Sequence, residues 1–171
     1  MNYKFIFTNI IRVLFLVLLQ VTLLNVLPIN RFYIMIYPLA ILLLPMATPK
    51  ALVVVIGFVV GFIVDWLSNT SGLHTASLTL MAYSRSFILD NFQPKSGWDK
   101  LDVPNVKQQG YAWFFYYTLI CFFIHHFAFF FLEVFSFHHF LHTLLKFVLS
   151  LASSLILMWL LTLSFFKSNE V

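Results

Sequence analysis

Gly57-Phe-Val-Val-Gly61-Phe-Ile-Val-Asp65 sets two glycines and a carboxylate at four-residue steps inside a run otherwise suited only to hydrocarbon. Residues four apart share a helix face. The stretch therefore predicts a membrane helix with a flat strip for close backbone contact, ending in an acid. The residues that follow, Ser68-Asn69-Thr70-Ser71-Gly72-Leu73-His74, form a short polar turn that re-enters another apolar run. Together they predict a helical hairpin, and function is expected there.

At 171 residues the chain has room for a single domain, residues 1–171. Its hydrophobic content is 61% with only 9% charged residues, and the mean hydropathy is +0.94. A soluble core of this size could not hide so much apolar surface, so most of it must face lipid. About 20 apolar residues cross a bilayer as a helix, and somewhat fewer suffice with local thinning. Six such runs occur: 5–27, 32–48 with Pro38 and Pro45 inside it, 51–67, 73–89, 111–132 and 140–166. The expected fold is an all-α integral membrane protein of about six transmembrane helices. The first run has Lys4 and Arg12 near its start, as a secretory signal would. Its apolar length is too great for one, and no small-residue cleavage pattern follows.

Basic residues are retained on the cytoplasmic side near helix ends. An N-terminus inside collects Lys4, Arg12, Lys50, Arg85, Lys95, Lys100, Lys107 and Lys167 there and leaves Arg31 and Lys146 outside. Both termini are then expected in the cytoplasm. The net charge of +4 is accounted for by topology and needs no nucleic-acid partner. Cys121 stands alone inside the fifth run, an apolar filler with no intrachain partner. The loop 91–110, with Pro94, Gly97, Pro104 and mixed charges, is expected in the cytoplasm. About 20 residues cannot build a folded core of their own, so any activity must sit among helices or arise by contact with partners.

Ionisable groups in lipid are costly and are therefore functional suspects. Arg12 and Arg85 lie within roughly two turns of the expected cytoplasmic surface, where long side chains snorkel to head groups; a partner contact is the other reading. Asp65 is expected to accept hydrogen bonds from the turn at Ser68, Asn69 and Thr70, a use compatible with partner binding. With a rise of about 1.5 Å per residue, Asp65 and Arg85 differ too much in depth to pair. Gly57 and Gly61 make a small-xxx-small pair for close helix packing, within the chain or against a partner.

His125, His126, His138, His139 and His142 cluster in sequence around Glu133 at the expected outer ends of the last two helices. His138 and His142 have the i, i+4 spacing that can hold a metal, but the metalloprotease spacing with an internal glutamate is absent. Histidine among Phe and Leu more often satisfies head groups or backbone. No phosphate loop, nucleophile elbow or Ser-His-Asp set is present. No catalytic residue, cofactor or metal is assigned.

The glycine-acid helix, the Ser68–His74 turn and then Met81-Ala82-Tyr83-Ser84-Arg85 resemble the rod shape-determining protein family MreD over nearly the whole chain. Ile124-His125-His126 and the segment from Phe131 to His138 resemble its form in Bacteroidota. The resemblance implies a non-enzymatic membrane scaffold of the bacterial cell-elongation complex, in the cytoplasmic (inner) membrane. Its implied partners are MreC, the actin-like MreB, the glycosyltransferase RodA and a class B penicillin-binding transpeptidase, besides membrane lipids. It also implies a helical bundle similar to the substrate-binding component of energy-coupling-factor vitamin transporters. Gly57, Gly61, Asp65, Gly72, His74 and Arg85 become the residues expected to serve structure or partner contact. The alternative is a vitamin-binding transport component. Such proteins typically dock through small residues on the first helix, whereas residues 13–24 here carry no alanine or glycine.

Overall fold

Proline decides which apolar runs become helices. The computed structural model describes residues 3–26, 33–92, 102–134 and 140–167. Within them lie five long helices: α1 (Tyr3–Val26), α3 (Lys50–Ser68), α4 (Leu73–Asn91), α6 (Tyr111–Val134) and α7 (Phe140–Lys167). Two single turns, α2 (Leu39–Leu42) and α5 (Val106–Gln109), complete the described elements. Among the described residues three helical stretches are long and apolar enough to cross a membrane: Lys50–Ser68, Tyr111–Val134 and Leu141–Thr162. This is an all-helical protein of membrane-spanning character.

The second apolar run departs from the expected spanning helix. Residues 33–36 carry no helix, Pro38 opens the single turn α2, and non-helical backbone continues to Pro49. A proline removes an amide donor and disfavours helix at the residue before it, so Pro38, Pro45 and Pro49 leave room for one turn only. The segment is nevertheless deeply buried, with Ile36, Tyr37, Leu39, Ile41 and Leu42 at 0% exposure. Irregular backbone at such depth must find partners inside the protein, and it does. Gln20 of α1 donates from Nε2 to the Ile34 carbonyl at 2.9 Å and accepts at Oε1 from the Ile36 amide at 2.6 Å and the Tyr37 amide at 3.4 Å. From α7, Ser150 Oγ accepts the Tyr33 amide at 2.9 Å and Ser154 Oγ the Met35 amide at 2.8 Å. The broken segment is thus laced to the first and last helices.

That lacing yields a stability prediction. Gln20→Met keeps the volume and removes three bonds, each worth on average about 0.6 kcal/mol inside a membrane, so the loss should be about 2 kcal/mol. Chemical unfolding in detergent micelles measures it. A variant as stable as the parent would show that residues 33–37 do not depend on Gln20.

α4 lies between α3 and α6 and inverts the pattern of a soluble helix. Its buried face carries His74, Ser77, Arg85 and Ser86 among Leu78, Met81 and Ala82, while Leu80, Tyr83 and Phe87 are exposed. Polar groups inside and aromatic groups outside suit a helix covered by protein on one side and by hydrocarbon on the other. On α7 the buried positions step by four, Ser150, Ser154, Met158 and Thr162, which gives a narrow contact stripe.

Candidate functional site

The hairpin of α3 and α4 is closed by glycine. A Cβ on Gly61 would stand 2.6 Å from Thr75 Cα and 2.8 Å from the His74 carbonyl oxygen, and one on Gly57 would stand 2.7 Å from Ala82 Cβ. The flat strip is therefore packed on α4 of the same chain and is not presented to a partner helix. The turn between the two helices uses two left-handed residues, Asn69 at φ 53° and Gly72 at φ 86°. Gly72 fills a position that favours a residue without a side chain.

Asp65, 5% exposed, ties the hairpin shut in a way the sequence reading only half captured. Thr70 Oγ1 donates to Oδ1, as expected of the turn. The other donors are not Ser68 or Asn69: they are the His74 amide at 3.1 Å to Oδ1, the Thr75 amide at 2.7 Å to Oδ2, and Thr75 Oγ1 to Oδ2. Asp65 therefore caps the start of α4 from a distance, where Gly72 at the N-cap has no side chain to do so. Ser68 Oγ is buried without a partner among the described residues.

A second polar cluster links α4, α6 and the broken segment. Tyr37 Oη lies 2.9 Å from His74 Nδ1 and 2.6 Å from His125 Nε2, and Ser77 Oγ lies 3.3 Å from the same His125 nitrogen. Ser77 donates its own proton to the Leu73 carbonyl at 2.7 Å, so the assignment that satisfies all three contacts puts the proton of His125 on Nε2, shared between Ser77 and Tyr37. Tyr37 then donates to His74 Nδ1. His126 has the opposite tautomer: Nδ1–H donates to the Phe122 carbonyl at 2.9 Å, and Nε2 accepts from Ser154 Oγ at 3.1 Å. Ser154 in turn accepts the Met35 amide. Each histidine is neutral in this assignment, and His125 Nδ1 alone of these ring nitrogens is buried without a partner among the described residues.

His125 and His126 thus lie at 0% exposure inside the bundle rather than at a helix end facing head groups. His142 is exposed at the start of α7, and His138 and His139 lie outside the described residues. Among the described residues no group of three or more His, Cys, Asp or Glu side chains could hold a metal ion. Glu133 accepts a bond from Tyr33 Oη at 3.1 Å.

Arg85 corrects the snorkelling expectation. It is 1% exposed and turned inward, with Nε donating to Tyr117 Oη at 2.9 Å and Nη2 to the carbonyls of Leu44 at 2.6 Å and Pro45 at 3.4 Å. Tyr117 passes its own proton to the Leu42 carbonyl at 3.1 Å. The carbonyls left open after α2 draw the guanidinium away from the surface. Arg12, half-buried, bonds Asn9 one turn back along α1. As expected from their depths, Asp65 and Arg85 do not meet, and each serves a different end of the hairpin.

Sequence reasoning missed Gln20, Tyr37, Tyr117, Ser150 and Ser154, since outside the glycine hairpin it weighed charged groups and histidines and passed over the other polar side chains. The available signals were a lone glutamine in a bulky apolar helix and two serines four apart in the last one. No protein-family model matches the chain, and neither a curated protein nor a solved structure matches it.

Proposed function

We propose that this protein is a non-enzymatic membrane scaffold of the MreD type, organising the elongation complex of a bacterial cytoplasmic membrane through contact with MreC and its neighbours. In this reading it crosses the membrane about six times, counting the broken segment as a crossing, with both termini in the cytoplasm. The observation that carries the proposal is the investment of its polar residues in the fold. Asp65 is engaged by four donors from the hairpin, and the neutral His–Tyr–Ser cluster binds elements of the same chain to each other.

With the glycine strip covered by α4, the surface assigned to a partner's membrane helix is the aromatic outer face of α3. Phe58, Phe62 and Trp66 are 51–77% exposed and contact one another in series, with ring centroids 6.4 and 6.2 Å apart. Replacing all three with leucine should keep the helix apolar and the fold intact, reduce co-purification of MreC by about tenfold, and round the cells. Pull-down and shape imaging after depletion of the native protein measure both. Normal shape and normal assembly on depletion, or turnover by the purified protein alone, would reject the scaffold. A small molecule retained at stoichiometric amounts would instead favour the transport component.

A further inference from the structure

A cleft of about 310 Å³ opens at the Lys50 end of the hairpin, with Thr48, Lys50, Arg85, Ser86 and Asp90 on its walls. We propose that it binds a phosphate-bearing anion, gripped by Arg85 and Lys50 beside the first turn of α3. Three independent features converge there.

Arg85 is a buried cation with no ion pair among the described residues: its bonds go to a phenol and two carbonyls, all neutral. Those bonds use Nε and Nη2 and leave both hydrogens of Nη1 over. A desolvated charge without a counter-ion is costly, and the guanidinium fork is shaped for phosphate or carboxylate oxygens. Arg85 also forms part of the cleft wall, so an anion in the cleft would meet the charge that the fold leaves uncompensated.

The second feature is α3 itself. It begins after Pro49, which has no side-chain cap, so the amides of its first turn and its positive dipole end also favour an anion. The third is level. A helix of 19 residues rises about 28 Å, close to the thickness of the hydrocarbon core, which sets Lys50 at the depth of lipid head groups. Asp90 acts against binding. It holds Lys50 at 2.5 Å, but with the two side chains 62% and 54% exposed the pair is weak, and Lys50 is free to turn to a stronger acceptor.

The balance of charges supplies the test, because both exposed partners can be changed without touching the core. The full-length protein in a neutral detergent is offered phosphatidylglycerol and phosphatidylcholine, and retained lipid is counted by native mass spectrometry. Phosphatidylglycerol should be retained about tenfold better. Lys50→Gln should erase most of that preference, Asp90→Asn should increase it, and filling the cleft with Ser86→Trp should abolish it. Competition by inorganic phosphate identifies a site for the free anion, and failure to compete identifies a lipid head group held also by its acyl chains; each supports the site. Equal retention of the two lipids together with no thermal stabilisation by inorganic phosphate would overturn it. So would a preference that Lys50→Gln, Asp90→Asn and Ser86→Trp all leave unchanged. Because the scaffold assay reads MreC and this one reads lipid, failure of either leaves the other standing.

Discussion

Gly61→Ala should destabilise the protein by about 3 kcal/mol, whereas Gly57→Ala should be nearly neutral once Ala82→Gly accompanies it. Alanine gains roughly 1 kcal/mol over glycine in a helix interior, so the outcome depends on what the new methyl group meets. At Gly57 it meets the Ala82 side chain at 2.7 Å, and removing that methyl group leaves the Leu78 carbonyl oxygen at 3.3 Å as the tightest neighbour, a contact that a small shift relieves. At Gly61 it meets backbone, Thr75 Cα at 2.6 Å and the His74 carbonyl oxygen at 2.8 Å, which no rotamer can relieve. The helices must part, and the amides of His74 and Thr75 move with α4 away from Asp65. In lipid the hydrophobic effect does not push the helices back together, so close packing and hydrogen bonds carry the association. Equilibrium unfolding of the two single variants and the two double variants, each paired with Ala82→Gly, measures the contrast. If Ala82→Gly rescued both glycine positions alike, the backbone contact at Gly61 would not be what limits the approach.

The hairpin was the most legible part of the chain, because glycine and aspartate at helical spacing have few uses in an apolar run. Gly57, Gly61 and Asp65 share the buried face of α3 as the period required. The second apolar run was misread for a different reason. Its composition is that of a membrane helix, yet Pro38, Pro45 and Pro49 cut the ladder, and two of the partners that make its buried irregular backbone tolerable, Ser150 and Ser154, lie more than a hundred residues away. Arg85 was misread as a consequence. A long cation near a helix end normally reaches for water, and here the Tyr117 hydroxyl and the open carbonyls of Leu44 and Pro45 turn it inward. Long-range polar pairing of this kind leaves no periodic trace in the sequence.

Asp65 separates a structural carboxylate from a chemical one. Each of its oxygens takes one backbone amide and one hydroxyl: Oδ1 from His74 and Thr70, Oδ2 from Thr75 and the Thr75 side chain. A hydroxyl can turn and accept when an amide group replaces an oxygen, but a backbone N–H cannot. Whichever way an asparagine side chain is turned, one amide of the α4 start faces an NH2 group. Asp65→Asn should therefore cost about 3 kcal/mol, the combined loss of a charge-assisted bond and a satisfied buried donor. Asp65→Ala strands both amides and removes the negative charge from the helix start, for about 4 kcal/mol. Thr75→Val removes one hydroxyl donor and leaves the Thr75 amide bonded, so about 1 kcal/mol is expected. Thermal and denaturant unfolding in the same detergent rank the three. A proton-transfer group would behave in the opposite way, with Asp65→Asn folding as the parent does while some activity disappears. That result would move Asp65 from the architecture of the hairpin to chemistry, and the scaffold reading would lose its main support.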